Sequence, residues 1–403
     1  MQSKLETIVE KLFYITIGVY FFLSIMTITM LQYETISSKA KIIRYICYFS
    51  ILLIILFNVI KEEKITIRSF FRKCLDYATS HLILLFMLFI TSIIMFRMGD
   101  RLPFILVLLV WASSFYDFKK ILVIYIGTTA TLMLITFWLT HNDMLINIIT
   151  ERADNERYSL GYIYPLELMA HFLILMISYF YVLGKKLEYK ELIFINIANF
   201  LLYIITDSRT SFYLGIATSI IAIIYAKTNI DTILKYISSK IYYLFLILCS
   251  IGSIIVGFLY TTESATLRKL NELLSGRIVL MNNAFQNYGF TLFGQKIEWV
   301  GFGATQWGQE HADAWGNYNF VDSAYAKTLL DYGVIFWVLV IIGYAIVYKT
   351  ANQEKDYMLI IVISVILMLS IMEPRLVSIE MNPFVLLLGR FFVMETSSSK
   401  LLR

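Results

Sequence analysis

The sequence is poor in charge. Only 16% of its 403 residues are Asp, Glu, Lys or Arg, against about 25% in an ordinary soluble domain. With 59% hydrophobic residues and a mean hydropathy of +0.72, a soluble globular class is excluded and an integral membrane protein is expected. The net charge of +5 gives no polyanion-binding surface, so nucleic acid is not an expected partner. Cysteine is scarce and odd in number. Cys47 and Cys249 sit in apolar runs and Cys74 in a basic loop, which gives no disulfide framework. Histidine is scarcer still. His81, His141, His171 and His311 show no HxxxH or HxH spacing, so neither a metal nor a cofactor is expected. Proline-, glycine- or serine-rich linkers, internal repeats and low-complexity tracts are missing, which leaves one membrane domain.

What the chain has is apolar runs. A bilayer core of about 30 Å takes roughly 20 apolar residues in a helix. The runs predict about 12 transmembrane helices in an all-α protein: 12–31, 42–60, 81–97, 103–116, 120–140, 166–184, 189–206, 211–226, 241–260, 333–348, 357–373 and 383–396. The first run is too long for the h-region of a signal peptide and lacks a small-residue cleavage site, so it is expected to be retained. The last is short and contains Arg390, which predicts a tilted or interfacial segment. With the N-terminus cytoplasmic, the short inner segments hold nineteen Lys and Arg and the short outer loops nine. That asymmetry predicts both termini inside. Three parts follow: a bundle of about nine helices over 1–260, an extracytoplasmic loop subdomain over 261–332, and the last helices with a cytoplasmic tail over 333–403.

The charges are concentrated. Residues 149–165, ITERADNERYSLGYIYP, place Glu151, Arg152, Asp154, Glu156 and Arg157 within seven positions of an otherwise apolar chain. Arg209 sits in a four-residue turn between two spans and so belongs at the membrane surface. Guanidinium stays charged and offers a planar fork that matches phosphate oxygens, so outer arginines suit either a lipid diphosphate or ordinary headgroups. Glu167 and His171 fall at i, i+4 on one helix face, either bonded to each other or facing a cavity. In the long loop, Leu267, Leu270, Leu274, Ile278, Met281 and Phe285 recur at helical spacing, and Ser275-Gly276-Arg277 bends that segment so that Arg277 is aimed inward. Gly294, Gly301 and Gly303 imply turns or close backbone approach. Trp299, Trp307, Trp315, Tyr318 and Tyr325 suit sugar rings, and equally the membrane interface. Asp322 precedes a helix, where it is either an N-cap or a proton acceptor.

Four features in this order resemble the Wzy-type polysaccharide polymerases of the O-antigen ligase and polymerase family. They are Arg157-x-Ser159-Leu160-Gly161, the Ser208-Arg209 turn, Ser275-Gly276-Arg277 followed by Leu292-Phe293-Gly294 and Gly301-x-Gly303, and Asp322-Ser323-x-Tyr325-x3-Leu329-x3-Gly333. The resemblance covers roughly 149–340. It departs at Tyr164-Pro165-Leu166, where the family often has His-Pro-Asn. Asp322 stands where the ligase branch usually has histidine, which leans toward a polymerase.

The resemblance implies a metal-independent glycosyltransferase of the lipid-linked type in the cytoplasmic membrane of a bacterium, with its active site on the outer face. Repeat units on polyprenyl diphosphate would be joined by attack of an acceptor hydroxyl on the donor's anomeric carbon, with polyprenyl diphosphate leaving. Arg157, Arg209 and Arg277 are then expected on the diphosphate. Asp322 is the expected base, with His311 and Glu167 in reserve. Arg152, Ser275, Gly294, Gly301, Gly303, Trp299, Trp315 and Tyr325 complete the expected substrate-binding set. Implied partners are the lipid-linked glycans, membrane lipid, and flippase and chain-length regulator proteins. The rival readings are a lipid-linked oligosaccharide flippase or other transporter, a ligase-type transferase and a membrane scaffold.

Overall fold

The computed structural model describes residues 2–33, 37–63, 82–152, 155–229, 234, 239–301 and 318–389. Its helices are α1 (Gln2–Met26), α2 (Ser37–Glu63), α3 (Leu82–Met98), α4 (Leu102–Ser114), α5 (Phe118–His141), α6 (Pro165–Leu183), α7 (Tyr189–Thr206), α8 (Arg209–Lys227), α9 (Ser239–Ile247), α10 (Ser253–Phe258), α11 (Ala265–Leu273), α12 (Arg277–Tyr288), α13 (Ala324–Glu354) and α14 (Tyr357–Leu369). A wider turn over Leu248–Gly252 joins α9 to α10. Between α5 and α6 runs an antiparallel hairpin, β1 (Ile149–Arg152) and β2 (Asn155–Tyr158), which pairs Thr150 with Arg157. The hairpin corrects the expectation of a purely helical chain.

Among the described residues, eight segments are long and apolar enough to cross a membrane: Lys4–Met26, Ala40–Val59, Phe118–His141, Pro165–Lys186, Tyr189–Thr206, Arg209–Lys227, Lys240–Phe258 and Ala324–Glu354. Leu84–Met98, Leu102–Ser114 and Tyr357–Leu369 are shorter apolar helices. The chain is thus a mostly helical, multi-pass membrane protein. Eleven of the expected spans coincide with helices. The twelfth does not: Pro383–Gly389 is a 3-10 helix, which at about 2 Å per residue is too short to span, and residues 390–396 lie outside those described.

Local chemistry sets the boundaries. Asp117, Ser264, Ser323 and Asp356 accept backbone N–H groups at the starts of α5, α11, α13 and α14. Pro165 opens α6, where its missing N–H costs nothing. Helix α6 is central and largely buried, whereas α7 is peripheral and largely exposed. The exposed Ile193, Phe194, Ile197, Leu201 and Ile204 of α7 form a lipid-facing surface.

Two backbone features position the site. The first lies in α13, which is broken at Gly333 (φ 85°, ψ 169°). The N–H groups of Val334 and Ile335 donate across to the carbonyls of Thr291 and Leu292, and Gln295 N–H donates to Asp331 O. The segment 291–295 therefore repairs the break by docking backbone to backbone. The boundary expected at 332/333 is this break inside a helix that starts at Ala324.

The second is the segment 370–389, which returns through the bundle without α-helix. Leu376, Ile379, Met381, Asn382 and Phe384 to Leu388 are buried. Two of its carbonyls are satisfied by side chains: Tyr125 of α5 donates to Glu380 O, and Tyr344 of α13 and the segment's own Asn382 donate to Leu376 O. Irregular backbone at membrane depth is tolerated where protein surrounds it in this way.

Candidate functional site

The hairpin is held at one end of the bundle by its flanks. Met30 N–H donates to Gly161 O and Ile163 N–H to Ile28 O, which ties the α1–α2 connection to the segment before α6. Ser159 Oγ accepts from Ile148 N–H, and Asn147 Oδ1 from Leu160 N–H. Gly161, at φ +84°, packs so closely that a Cβ would stand 2.5 Å from Thr140 Oγ1. This bracing fixes where β2 presents Arg157.

Arg157 is 5% exposed. Its Nε donates to Thr206 O at 2.7 Å, and its guanidinium lies 5.9 Å from the Tyr164 ring centre. Its Nη2 is buried and has no hydrogen-bond partner among the described residues. Burial lowers its pKa from the ordinary arginine value, which Tyr164 partly offsets. Arg152, one strand earlier, reaches Asp207 at 3.8 Å and donates to Ser275 Oγ at 3.2 Å. It stitches the hairpin to the α7–α8 and α11–α12 turns. Arg209 shares Asp207 at 3.4 Å but is 57% exposed, so it stands on the rim.

Arg277 is the first residue of α12. The turn before it runs through Ser275 (φ 55°) and Gly276 (φ 84°). Asn271 Oδ1 accepts the N–H groups of Ile278 and Val279, which closes the helix start. Arg277 Nε donates to Asp322 Oδ2 at 2.9 Å. Burial opposes the Arg277 charge, but Asp322 and Glu373 outweigh it and hold its pKa above the ordinary value. The cap of α13 is Ser323, which accepts from Ala326 N–H. Asp322 is therefore not the N-cap; its carboxylate is turned to Arg277. Burial raises the Asp322 pKa, with Arg277 pulling it back.

Glu167 and His171 are not bonded to each other. Glu167 pairs with Arg375. His171 is fully buried, and its Nδ1 meets Tyr162 OH at 2.9 Å. The cluster also contains Glu373, 8% exposed, which lies in the turn beyond α14. Burial raises the Glu373 carboxyl to about 8, with Arg277 opposing and Asp322 adding to the rise. Arg157, Arg152, Arg277, Ser275, Asp322 and Glu167 are thus brought together, with Arg209 at the edge. Arg375, Glu373 and Tyr164 join them unforeseen, and Tyr318, one of the expected aromatics, lies beside them. The pattern Glu373-Pro374-Arg375, two charges straight after an apolar run, is the sequence signal that marks the first two.

Other expected contacts are used elsewhere. Tyr325 is fully buried and donates to Leu367 O. Trp299 donates from Nε1 to Asp331 at 2.8 Å, while the Lys327 ammonium covers its ring at 4.4 Å and pairs with Asp331 at 2.8 Å. Its face and its donor are both engaged. Gly294 (φ 80°) has room for no Cβ because Asp331 O lies against it, and a Cβ on Gly301 would stand 3.2 Å from Phe320. Both glycines serve backbone packing. Gly303, His311 and Trp315 lie outside the described residues. Among the described residues no group of three or more His, Cys, Asp or Glu is placed to hold a metal. A cavity of about 230 Å³ at the opposite end is lined by Glu6, Glu10, Tyr14 and Lys61. Its two glutamates are already paired with Lys61 and Lys120.

Compared with protein-family models, curated proteins and solved structures, the chain matches none.

Proposed function

We propose that the chain is a glycosyltransferase that polymerises polyprenyl-diphosphate-linked oligosaccharide repeat units at the outer face of the cytoplasmic membrane. The observation that carries this reading is Arg157: a buried guanidinium whose Nη2 has no partner among the described residues, beside Arg277 and Arg375 at one end of an apolar bundle. A buried donor left unpaired is costly, and an anionic ligand removes that cost. Negative charge builds on a diphosphate as its bond to the sugar breaks, and fixed guanidinium groups stabilise that charge. The acceptor hydroxyl gives its proton to Asp322, whose carboxylate burial makes more basic. The new bond joins the acceptor oxygen to the donor's anomeric carbon, and polyprenyl diphosphate departs. The resemblance to Wzy-type polymerases supports the same assignment.

The test uses purified protein, a defined lipid-linked repeat unit, chelator and no nucleotide sugar. A ladder of glycan lengths is expected; its absence with folded protein overturns the reading. In cells, loss of the chain leaves glycans of a single repeat on lipid.

The non-helical segment 370–389 favours a second reading, a lipid-linked oligosaccharide transporter, because interrupted elements inside a bundle line pathways in transporters. Repeat units stranded on the cytoplasmic side would identify it. The gathering of charge at one end of the bundle favours the transferase.

A further inference from the structure

The guanidinium groups of the cluster are unequally committed. Arg375 is held by Glu167 through Nη2, and its buried Nε has no partner among the described residues. Arg157 spends Nε on a backbone carbonyl, and its Nη2 has no partner among the described residues. Arg277 is held by Asp322 through Nε alone. A phosphate group approaching Arg157 and Arg277 meets one guanidinium with a donor that is unpaired among the described residues and one whose Nε edge a carboxylate already occupies. Phosphate oxygens bond a guanidinium bidentately and bring more charge than a carboxylate.

Asp322 has few other supports. It faces Arg277 from α12, Glu167 from the first turn of α6, Tyr164 from the segment before α6, Tyr318 from its own segment and Glu373 from the turn after α14. Arg277 is the one cation of that set. Without it, Asp322 faces two carboxyl groups and two phenols in a half-buried site, where burial and the Glu167 carboxylate favour its protonated form.

We infer that Asp322 is a displaceable partner of Arg277: an incoming diphosphate takes over the Arg277 fork, and Asp322 gains proton affinity as it is released. This rests on the diphosphate reading above and adds its control. The base is held back by the arginine that the donor needs and is freed when the donor arrives. The proton it then takes comes from the acceptor hydroxyl when an acceptor is bound, and from solvent when none is. Ordering follows: donor before acceptor.

The experiment titrates the full-length, detergent-solubilised protein with inorganic pyrophosphate by calorimetry, in two buffers of different ionisation enthalpy. The quantity read is proton uptake in the wild type minus that in D322N, which cancels the ligand's own protonation. An uptake of up to about one proton per pyrophosphate is expected in the wild type and none in D322N. D322N should bind pyrophosphate about tenfold tighter, the equivalent of one pKa unit, because the competing carboxylate is gone. Equal uptake in both proteins, weaker binding by a folded D322N, uptake that is lost instead in E373Q, or no pyrophosphate binding overturns the inference. D322S serves where D322N does not fold. If neither folds, Asp322 holds the fold and is not a displaceable partner, and the inference falls. Failure of the polymerase reading is separate: uptake as expected with no glycan ladder would remove that reading and leave the coupling standing.

Discussion

Replacement of Gly294 by alanine separates a backbone role from a substrate role at a position where the sequence suggests either. At φ +80° an alanine is strained by about 1–2 kcal/mol. Its Cβ would overlap Asp331 O and stand 3.0 Å from Tyr332 Cα, both of them backbone atoms that cannot rotate away. The segment must move outward, and the bonds from Val334 N–H to Thr291 O (2.9 Å) and from Gln295 N–H to Asp331 O (3.1 Å) lengthen. Each lost bond costs about 0.5–1.5 kcal/mol. G294A is therefore expected to destabilise the protein by roughly 3 kcal/mol. The break at Gly333 sets the direction of residues 324–332, so chain extension should fall with stability. The assay is denaturant unfolding in mixed micelles, alongside extension of a lipid-linked repeat. G294A with wild-type stability and abolished extension would refute the docking argument and return Gly294 to the substrate. Adding G333A should cost less than the sum of the two, because both glycines serve one contact.

Three further outcomes are expected. Arg157→Lys keeps a charge but loses the planar fork, so extension should drop about 10²-fold while the protein stays folded; unchanged turnover would remove Arg157 from the diphosphate. Glu373 carries a folded pKa of about 8 against an ordinary 4.5. The folded state therefore holds its proton where the unfolded chain releases it, so this contribution to stability is whole below 4.5 and is lost as pH rises to about 8. The difference in stability between wild type and E373Q, followed across that window, should show this decline, and a flat difference would contradict the burial of the carboxyl. Tyr325→Phe loses the bond to Leu367 O and should cost about 1 kcal/mol of stability with glycan lengths unchanged; a shortened ladder at full stability would instead mean sugar contact.

Much of the site was legible because arginine in an apolar chain is conspicuous. Arg157, Arg277 and Asp322 stand out by type and by their place beside spans. What pairs with what was not legible. Glu167 and His171 share a helix face, yet each bonds to a residue brought by another segment, Arg375 and Tyr162. Tyr325 and Trp299 look like sugar platforms in the sequence, and tertiary packing spends both on internal bonds.

The sequence by itself determined that this chain crosses a membrane several times, because sustained apolar runs have no other low-energy setting. It determined too that its charges must gather where the runs stop. Only the tertiary structure decided that residues 370–389 return through the bundle without forming an α-helix, and that Glu373 and Arg375 thereby reach the cluster. The reason is that hydropathy records how badly a segment wants to leave water, whereas its backbone path depends on side chains far along the chain, such as Tyr125 and Tyr344, that satisfy its carbonyls.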